Sequence, residues 1–266
     1  MIFIGLARFK SLLRIKKFLS SLPQSVLKGE DVTIPCGPLR RLFEFAGLRN
    51  TDVFYHLGCG TSESVSIARK EFKVKKSIGL EINKKTATLG QEKLRGLQNA
   101  QIINEDFRRH NLSDATVIFF WFTSDRLIKQ MIRKFESELK NGARLITIWS
   151  PPDLMIPSKI EFPFMLCRKP FIYARDMTEQ ITAICGSPCI DFTTSWFLAE
   201  KYIRNLESVE ERYQRFVNIF QSMVIWINAW NTGIACEDEI PPPVESYIGI
   251  LKTFYNIDFS SMITKK

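Results

Sequence analysis

Asp52-Val-Phe-Tyr-His-Leu-Gly-Cys-Gly60 is a short apolar run broken by a Gly-x-Gly step, and a helix-compatible segment, Glu63 to Lys70, follows at once. A second apolar run, Lys76-Ser-Ile-Gly-Leu-Glu81, ends in an acid 21 residues after Gly60. Together these make a strand, a glycine turn against a helix N-terminus, and a carboxylate at the tip of the next strand, the signature of a nucleotide cradle. Glycine lets backbone approach a ligand with no Cβ in the way. A carboxylate at that tip can accept hydrogen bonds from both hydroxyls of a ribose. The stretch therefore points to a nucleoside cofactor.

Outward from it, apolar runs alternate with helical patterns. Strands are expected at 53–57, 76–80, 100–104, 115–122 and 143–149, and helices at 38–47, 62–71, 84–97 and 125–140. Such alternation implies an α/β fold, a Rossmann-like, mostly parallel sheet with helices on both faces. Ligands of such sheets bind beyond the carboxyl ends of the strands. Residues 158–175 read as two further strands with Lys169-Pro170 at the turn between them. From Asp176 the chain reads as a helical C-terminal extension, with helices near 177–185, 191–206, 208–231 and 244–256. Three parts follow: 1–32, a basic amphipathic helix and linker; 33–175, the α/β domain; and 176–266, the helical extension.

The chain has 266 residues, 45% of them apolar, enough for a full core. Its net charge of +9 is uneven: 14 Lys/Arg against 6 Asp/Glu in residues 1–80, but 10 against 13 in residues 161–266. A basic front suits anionic partners. Residues 2–20 set Leu6, Phe9, Leu12, Leu13, Phe18 and Leu19 among Arg8, Lys10, Arg14, Lys16 and Lys17. That pattern serves a membrane surface or a nucleic-acid arm, or docks on the protein's own core, with nucleic acid the less favoured partner. No apolar run spans a bilayer and no cleavable signal is evident, so the expected location is cytoplasmic, peripheral to a membrane if residues 2–20 bind one. Six scattered cysteines and two histidines do not make a metal site, and the thiols are expected to be reduced and mostly buried. Cys185-Gly-Ser-Pro-Cys189 reads as a helix break or a redox pair, with the break favoured.

Residues 33–153 resemble the seven-strand (class I) S-adenosylmethionine-dependent methyltransferases, and within them the archaeal protein-lysine methyltransferases and their mitochondrial relatives. Thr33-Ile-Pro-Cys-Gly-Pro38 matches the Pro-containing loop before their first helix. Tyr55-His-Leu-Gly-Cys-Gly60 matches the glycine loop and Gly79-Leu-Glu-Ile-Asn83 the ribose-binding strand end. Glu105-Asp-Phe107 falls where an acid lies beside the adenine, and Lys134 to Ile148 matches the helix and strand that follow the fourth strand. The resemblance implies S-adenosylmethionine as cofactor, held by Pro35, His56, Gly58, Cys59, Gly60, Glu81, Ile82, Asp106 and Phe107. It also implies a lysine amine of a protein as methyl acceptor. Two positions depart from the pattern: His56 replaces an Asp, and Ser62 stands where a third glycine is usual. Glu63 then reads as helix-capping chemistry or as a substitute for the missing carboxylate. These departures motivate the alternative of a methyltransferase-like scaffold that has lost catalysis.

Methyl transfer to an amine is an in-line displacement, helped by a dry aromatic channel that keeps the amine neutral. The fourth strand ends in Phe119-Phe-Trp-Phe-Thr-Ser-Asp125. Phe119 and Phe120 read as sheet core. Trp121 and Thr123 are the candidates for guiding the amine, with plain packing as their other reading, and Phe122 is a further channel candidate. Asp125 orients the amine or caps the next helix. Trp149 either faces the substrate or packs under the helices.

Overall fold

The computed structural model describes residues 34–122, 124–206 and 211–264. The basic stretch 2–20 and Thr123 lie outside them. Strands β1 (Val53–Leu57), β2 (Lys76–Glu81), β3 (Ala100–Asn104), β4 (Val117–Phe120) and β5 (Arg144–Ile148) pair in parallel. Strands β7 (Lys159–Glu161) and β8 (Phe164–Arg168) complete a seven-stranded sheet in the order β3-β2-β1-β4-β5-β8-β7, with β8 antiparallel to both neighbours. Short strands β6 (Met155–Ile156) and β9 (Ile172–Tyr173) form a separate pair. The chain moves outward through β2 and β3, then returns to the other side of β1 as β4. The ligand crevice of such a sheet opens at that reversal, beyond the ends of β1 and β4.

The central strands are apolar throughout because both faces are covered. Along β4, Ile118 and Phe120 pack with Met131 and Phe135 of α4 (Asp125–Glu138). Val117 and Phe119 pack on the other face with Leu42 and Phe43 of α1 (Cys36–Ala46) and Ile67 and Ala68 of α2 (Glu63–Lys70). Each such side chain contributes about 2 kcal/mol by leaving water. A Phe119→Ala cavity would cost about 3–5 kcal/mol. Helix α3 (Lys84–Lys93) starts at Asn83, whose side chain accepts from the Thr86 N–H at 3.1 Å. It is shorter than the expected 84–97 because Leu94 to Leu97 form a tight turn, with Gly96 at φ +81°.

The hairpin between 158 and 175 differs from expectation. It turns at Phe162-Pro163, between β7 and β8, and not at Lys169-Pro170. Lys169 still pairs with the chain entering β5: its N–H donates to Ala143 O at 2.9 Å, and its carbonyl accepts from Gly142 at 2.8 Å. Pro170, with no N–H, ends that run. Helix α5 (Met177–Cys185) is capped by Asp176 at its start and by Gly186, at φ +76°, at its end. Its Gln180 donates to the Asp153 and Met155 carbonyls, so α5 belongs with the sheet unit, which runs from Ile34 to Ser187.

The second compact unit begins at Pro188 and holds most of α6 (Phe192–Leu206), α7 (Glu211–Asn231) and α8 (Pro242–Tyr255). Its core gathers Met223, Trp226, Ile227, Trp230, Val244, Leu251 and Phe259. The expectation that all thiols are reduced fails here: Cys189 and Cys236 form a disulfide. Ile190 N–H donates to Ile234 O at 2.8 Å and Cys236 N–H to Ile190 O at 3.2 Å, which lays the two cysteines side by side. Their separation of 47 residues lies beyond any short-range sequence pattern. The favoured helix break is present, since α5 stops at Cys185 and the partner of Cys189 lies elsewhere. Among the described residues no helix is long and apolar enough to cross a membrane, and no three metal-ligating side chains converge.

At the amino-terminal edge of the sheet a buried ion pair ties the elements together. Arg144 Nη2 lies 2.5 Å from Asp52 Oδ1, and its Nη1 donates to the Ala46 and Gly47 carbonyls at 2.7 Å. Asp52 also accepts from Thr116 Oγ1 at 2.9 Å and from the Arg49 N–H at 2.7 Å. The C-terminus of α1 is thus locked to the starts of β1, β4 and β5.

Candidate functional site

Beyond β1 the backbone turns across the tip of β2: the N–H groups of Gly58 and Cys59 both donate to Leu80 O, at 2.8 and 3.1 Å. Gly58 sits at φ +76° and Gly60 at φ +59°, the left-handed region that favours glycine. At Gly58 a Cβ would also lie 2.7 Å from the Phe122 ring. At Gly60 a Cβ would meet nothing within 4 Å, so this part of the loop opens onto free space that a side chain would fill.

Glu81 closes the cradle. Its Oε2 accepts from the Gly60 N–H at 3.0 Å and its Oε1 from the Asn83 N–H at 2.8 Å. Two backbone donors therefore fix the carboxylate against the glycine loop, with half of its acceptor sites left for a ligand. Asn104 Nδ2 braces the same strand end by donating to the Glu81 and Ile82 carbonyls at 2.8 and 3.0 Å. Next to this carboxylate the Ile82 side chain is 65% exposed. An open glycine turn, a pre-set carboxylate and an uncovered apolar side chain are what a nucleoside needs: room for phosphate-free backbone approach, acceptors for hydroxyls, and a surface for the base. The donor and acceptor set fits an adenosyl cofactor.

Other expected contacts are placed differently. The His56 ring stacks on Phe119 at 4.4 Å, with Nδ1 2.6 Å from Ser64 Oγ. Burial there pushes its pKa down to about 3, so His56 brings no charge to the crevice. Cys59 is buried, its sulfur filling the space that Gly79 leaves without a Cβ, and burial raises its thiol pKa, so only its backbone lines the loop. Glu63 is not an unpaired substitute for the missing Asp. It accepts from Lys93 Nζ and from Thr61 Oγ1, each at 2.8 Å. Burial works against ionising it, yet these hydrogen bonds hold its pKa below the ordinary value.

Asp106 is gripped by Arg108, whose side-chain hydrogen bonds hold the carboxyl below the usual range. A ligand amine would share that acceptor. Phe107 is buried against Phe122 and Phe120, with ring centroids 5.1 and 6.3 Å away, and so backs the crevice from the core. Pro35 is exposed at the N-cap of α1.

At the end of β4, Trp121 is half-buried on the α1 face and Phe122 on the α4 face. Asp125 lies in the first turn of α4, where its charge complements the helix dipole. Trp149, one residue past β5, is held at φ +81° with its ring 5.6 Å from that of Phe162. Ser62 adopts φ +95°, the conformation its missing glycine would take freely. Sequence reasoning did not foresee the Phe122 contact with Gly58 or the Ser64 contact with His56. Both join residues of different elements, and only the apolar type of Phe122 hinted at packing.

The model of the family described as "Histone methylation protein DOT1" matches residues 34–153. A protein-lysine N-methyltransferase of Saccharolobus islandicus (strain REY15A) is 31% identical over 134 residues, covering 47% of this chain and 82% of that protein. Among solved structures, an RNA methyltransferase from Salinibacter ruber in complex with S-adenosyl-L-homocysteine aligns with a TM-score of 0.47 at 18% identity, over 55% of this chain and 99% of that one. A geranyl diphosphate C-methyltransferase from Streptomyces coelicolor A3(2) aligns with a TM-score of 0.38 at 18% identity, over 41% of this chain and 43% of the other.

Proposed function

Since this chain belongs to the class I S-adenosylmethionine-dependent methyltransferases, we propose that its methyl acceptor is the ε-amine of a lysine in a protein. The observation that carries this reading is the 31% identity to a protein-lysine N-methyltransferase across 82% of that enzyme's length. S-adenosylmethionine, when bound, supplies an electrophilic methyl group on a sulfonium.

In this reading Glu81 holds the ribose hydroxyls, its carboxylate already aimed by the Gly60 and Asn83 N–H groups. Ile82 covers the base, and Asp106 accepts from its amine beside Arg108. Trp121 and Phe122, at the end of β4, wall the path of the lysine. Apolar walls disfavour the ammonium form, lowering the amine pKa, so the nitrogen arrives with its lone pair free. Aromatic faces still attract the cation on approach. The catalytic task left to the chain is alignment of amine and methyl at about 3 Å with water excluded. Thr123 is proposed to orient the amine.

Incubating the full chain with radiolabelled methyl donor and cell extract, then mapping the label, tests the proposal. Label on lysine that is lost in Trp121→Ala is expected. Label confined to nucleic acid, or to another side chain, would refute the lysine reading.

A further inference from the structure

The edge of the sheet opposite the glycine loop carries more positive charge than its own acids neutralise. Arg144 and Arg168 face each other directly in the antiparallel β5–β8 pair. Like charges so placed repel. Arg49 stands beside them, and these three arginines line both of two adjoining hollows there. The inner hollow, about 200 Å³, is otherwise lined by Thr51, Asp52, Thr116 and Gly142.

Part of this charge has an ordinary use. Lys159 Nζ donates to Phe45 O at 2.7 Å, and Arg144 donates to the Ala46 and Gly47 carbonyls, so both cap the C-terminus of α1. Asp52 is taken up by Arg144, Thr116 and the Arg49 N–H. Glu44 lines only the outer hollow. The guanidinium groups of Arg49 and Arg168 are left with no ion pair or hydrogen bond among the described residues.

We propose that this groove binds an oxyanion, a phosphate group, between the guanidinium forks of Arg49 and Arg168 with Arg144 behind. Each planar fork matches two phosphate oxygens, and the anion replaces a repulsion by charge-assisted hydrogen bonds. Thr51 and the Gly142 turn complete a polar lining. Five-residue strands separate this edge from the glycine loop, so the site is distinct from the methyl-transfer crevice and does not depend on the lysine reading.

The test is calorimetric titration of the full chain with inorganic phosphate and with phosphoserine, at constant ionic strength set by chloride. Saturable binding of inorganic phosphate at or below about 10 mM supports a free anion as ligand. Saturation by phosphoserine alone supports a phosphorylated side chain as the source. Arg49→Gln and Arg168→Gln should each weaken binding about tenfold. Arg168→Gln should also melt no lower than the parent without phosphate, since it removes the repulsion, and its affinity for S-adenosylmethionine should be unchanged. No response to either ligand beyond chloride, equal binding by the double variant, or a lower melting temperature of Arg168→Gln without phosphate would each overturn the proposal.

Discussion

Two carboxylates mark opposite edges of one sheet, and they are treated in opposite ways. Asp52, at the amino-terminal edge, is buried and takes hydrogen bonds from Arg144, Thr116 and the Arg49 N–H. Glu81, at the carboxyl edge, is half-buried and, among the described residues, accepts from two backbone N–H groups and from no cation. The first carboxylate is used up in holding strands and helix together. The second is fixed in direction yet keeps acceptor sites for something else. A carboxylate's remaining hydrogen-bonding capacity, more than its position at a strand end, separates structure from function here.

The comparison fails most visibly if Asp52 proves dispensable. Asp52→Ala leaves Arg144 buried without its charge partner and should cost about 3–5 kcal/mol, read by urea unfolding. The folded fraction should still bind S-adenosylmethionine normally. A loss below about 1 kcal/mol would put Asp52 among exposed pairs of little worth.

Next in size is a pH effect at the ligand edge. The pKa of His56 is about 3 in the folded protein, well below its unfolded value of about 6.5. Between those values the unfolded chain binds the extra proton, so stability falls as pH drops below about 6.5. Unfolding at pH 7 and pH 5 should differ by about 1–2 kcal/mol, and the difference should shrink in His56→Asn. A pH slope unchanged in that variant would mean the ring is solvated, and that it leaves its place between Phe119 and Ser64.

The smallest effect sharpens the contrast in strain. Ser62 holds φ +95° on the ligand side, a conformation that costs a non-glycine residue about 1 kcal/mol. Ser62→Gly should raise stability by up to that amount and leave cofactor binding intact. A fall in thermal stability would show that the serine side chain holds the loop.

Much of the sheet unit was legible because its local rules agree. The runs at 53–57 and 100–104 coincide with β1 and β3, and the helix expected at 177–185 coincides with α5, bracketed by Asp176 and Gly186. Glycine spacing and the acid at Glu81 marked the turn and the strand end that the structure joins by a hydrogen bond. What escaped the sequence depends on residues far apart along the chain. Phe122 lies over Gly58 only after β4 is set beside β1, and Arg168 opposes Arg144 only after β8 turns back on β5. The hairpin was expected to turn at Lys169-Pro170, but Lys169 pairs with the chain entering β5, and the strands turn back earlier, at Phe162-Pro163. Cys189 and Cys236 meet through a parallel bridge between Ile190 and Ala235 that no short-range pattern announces.

The central claim is that Glu81, held open by Gly60 and Asn83, grips the sugar of the methyl donor. Calorimetric titration of Glu81→Ala with S-adenosylmethionine tests it most directly. The expected result is an affinity at least about 100-fold weaker, with unfolding free energy changed by no more than about 1 kcal/mol. Uptake equal to that of the parent chain would contradict it.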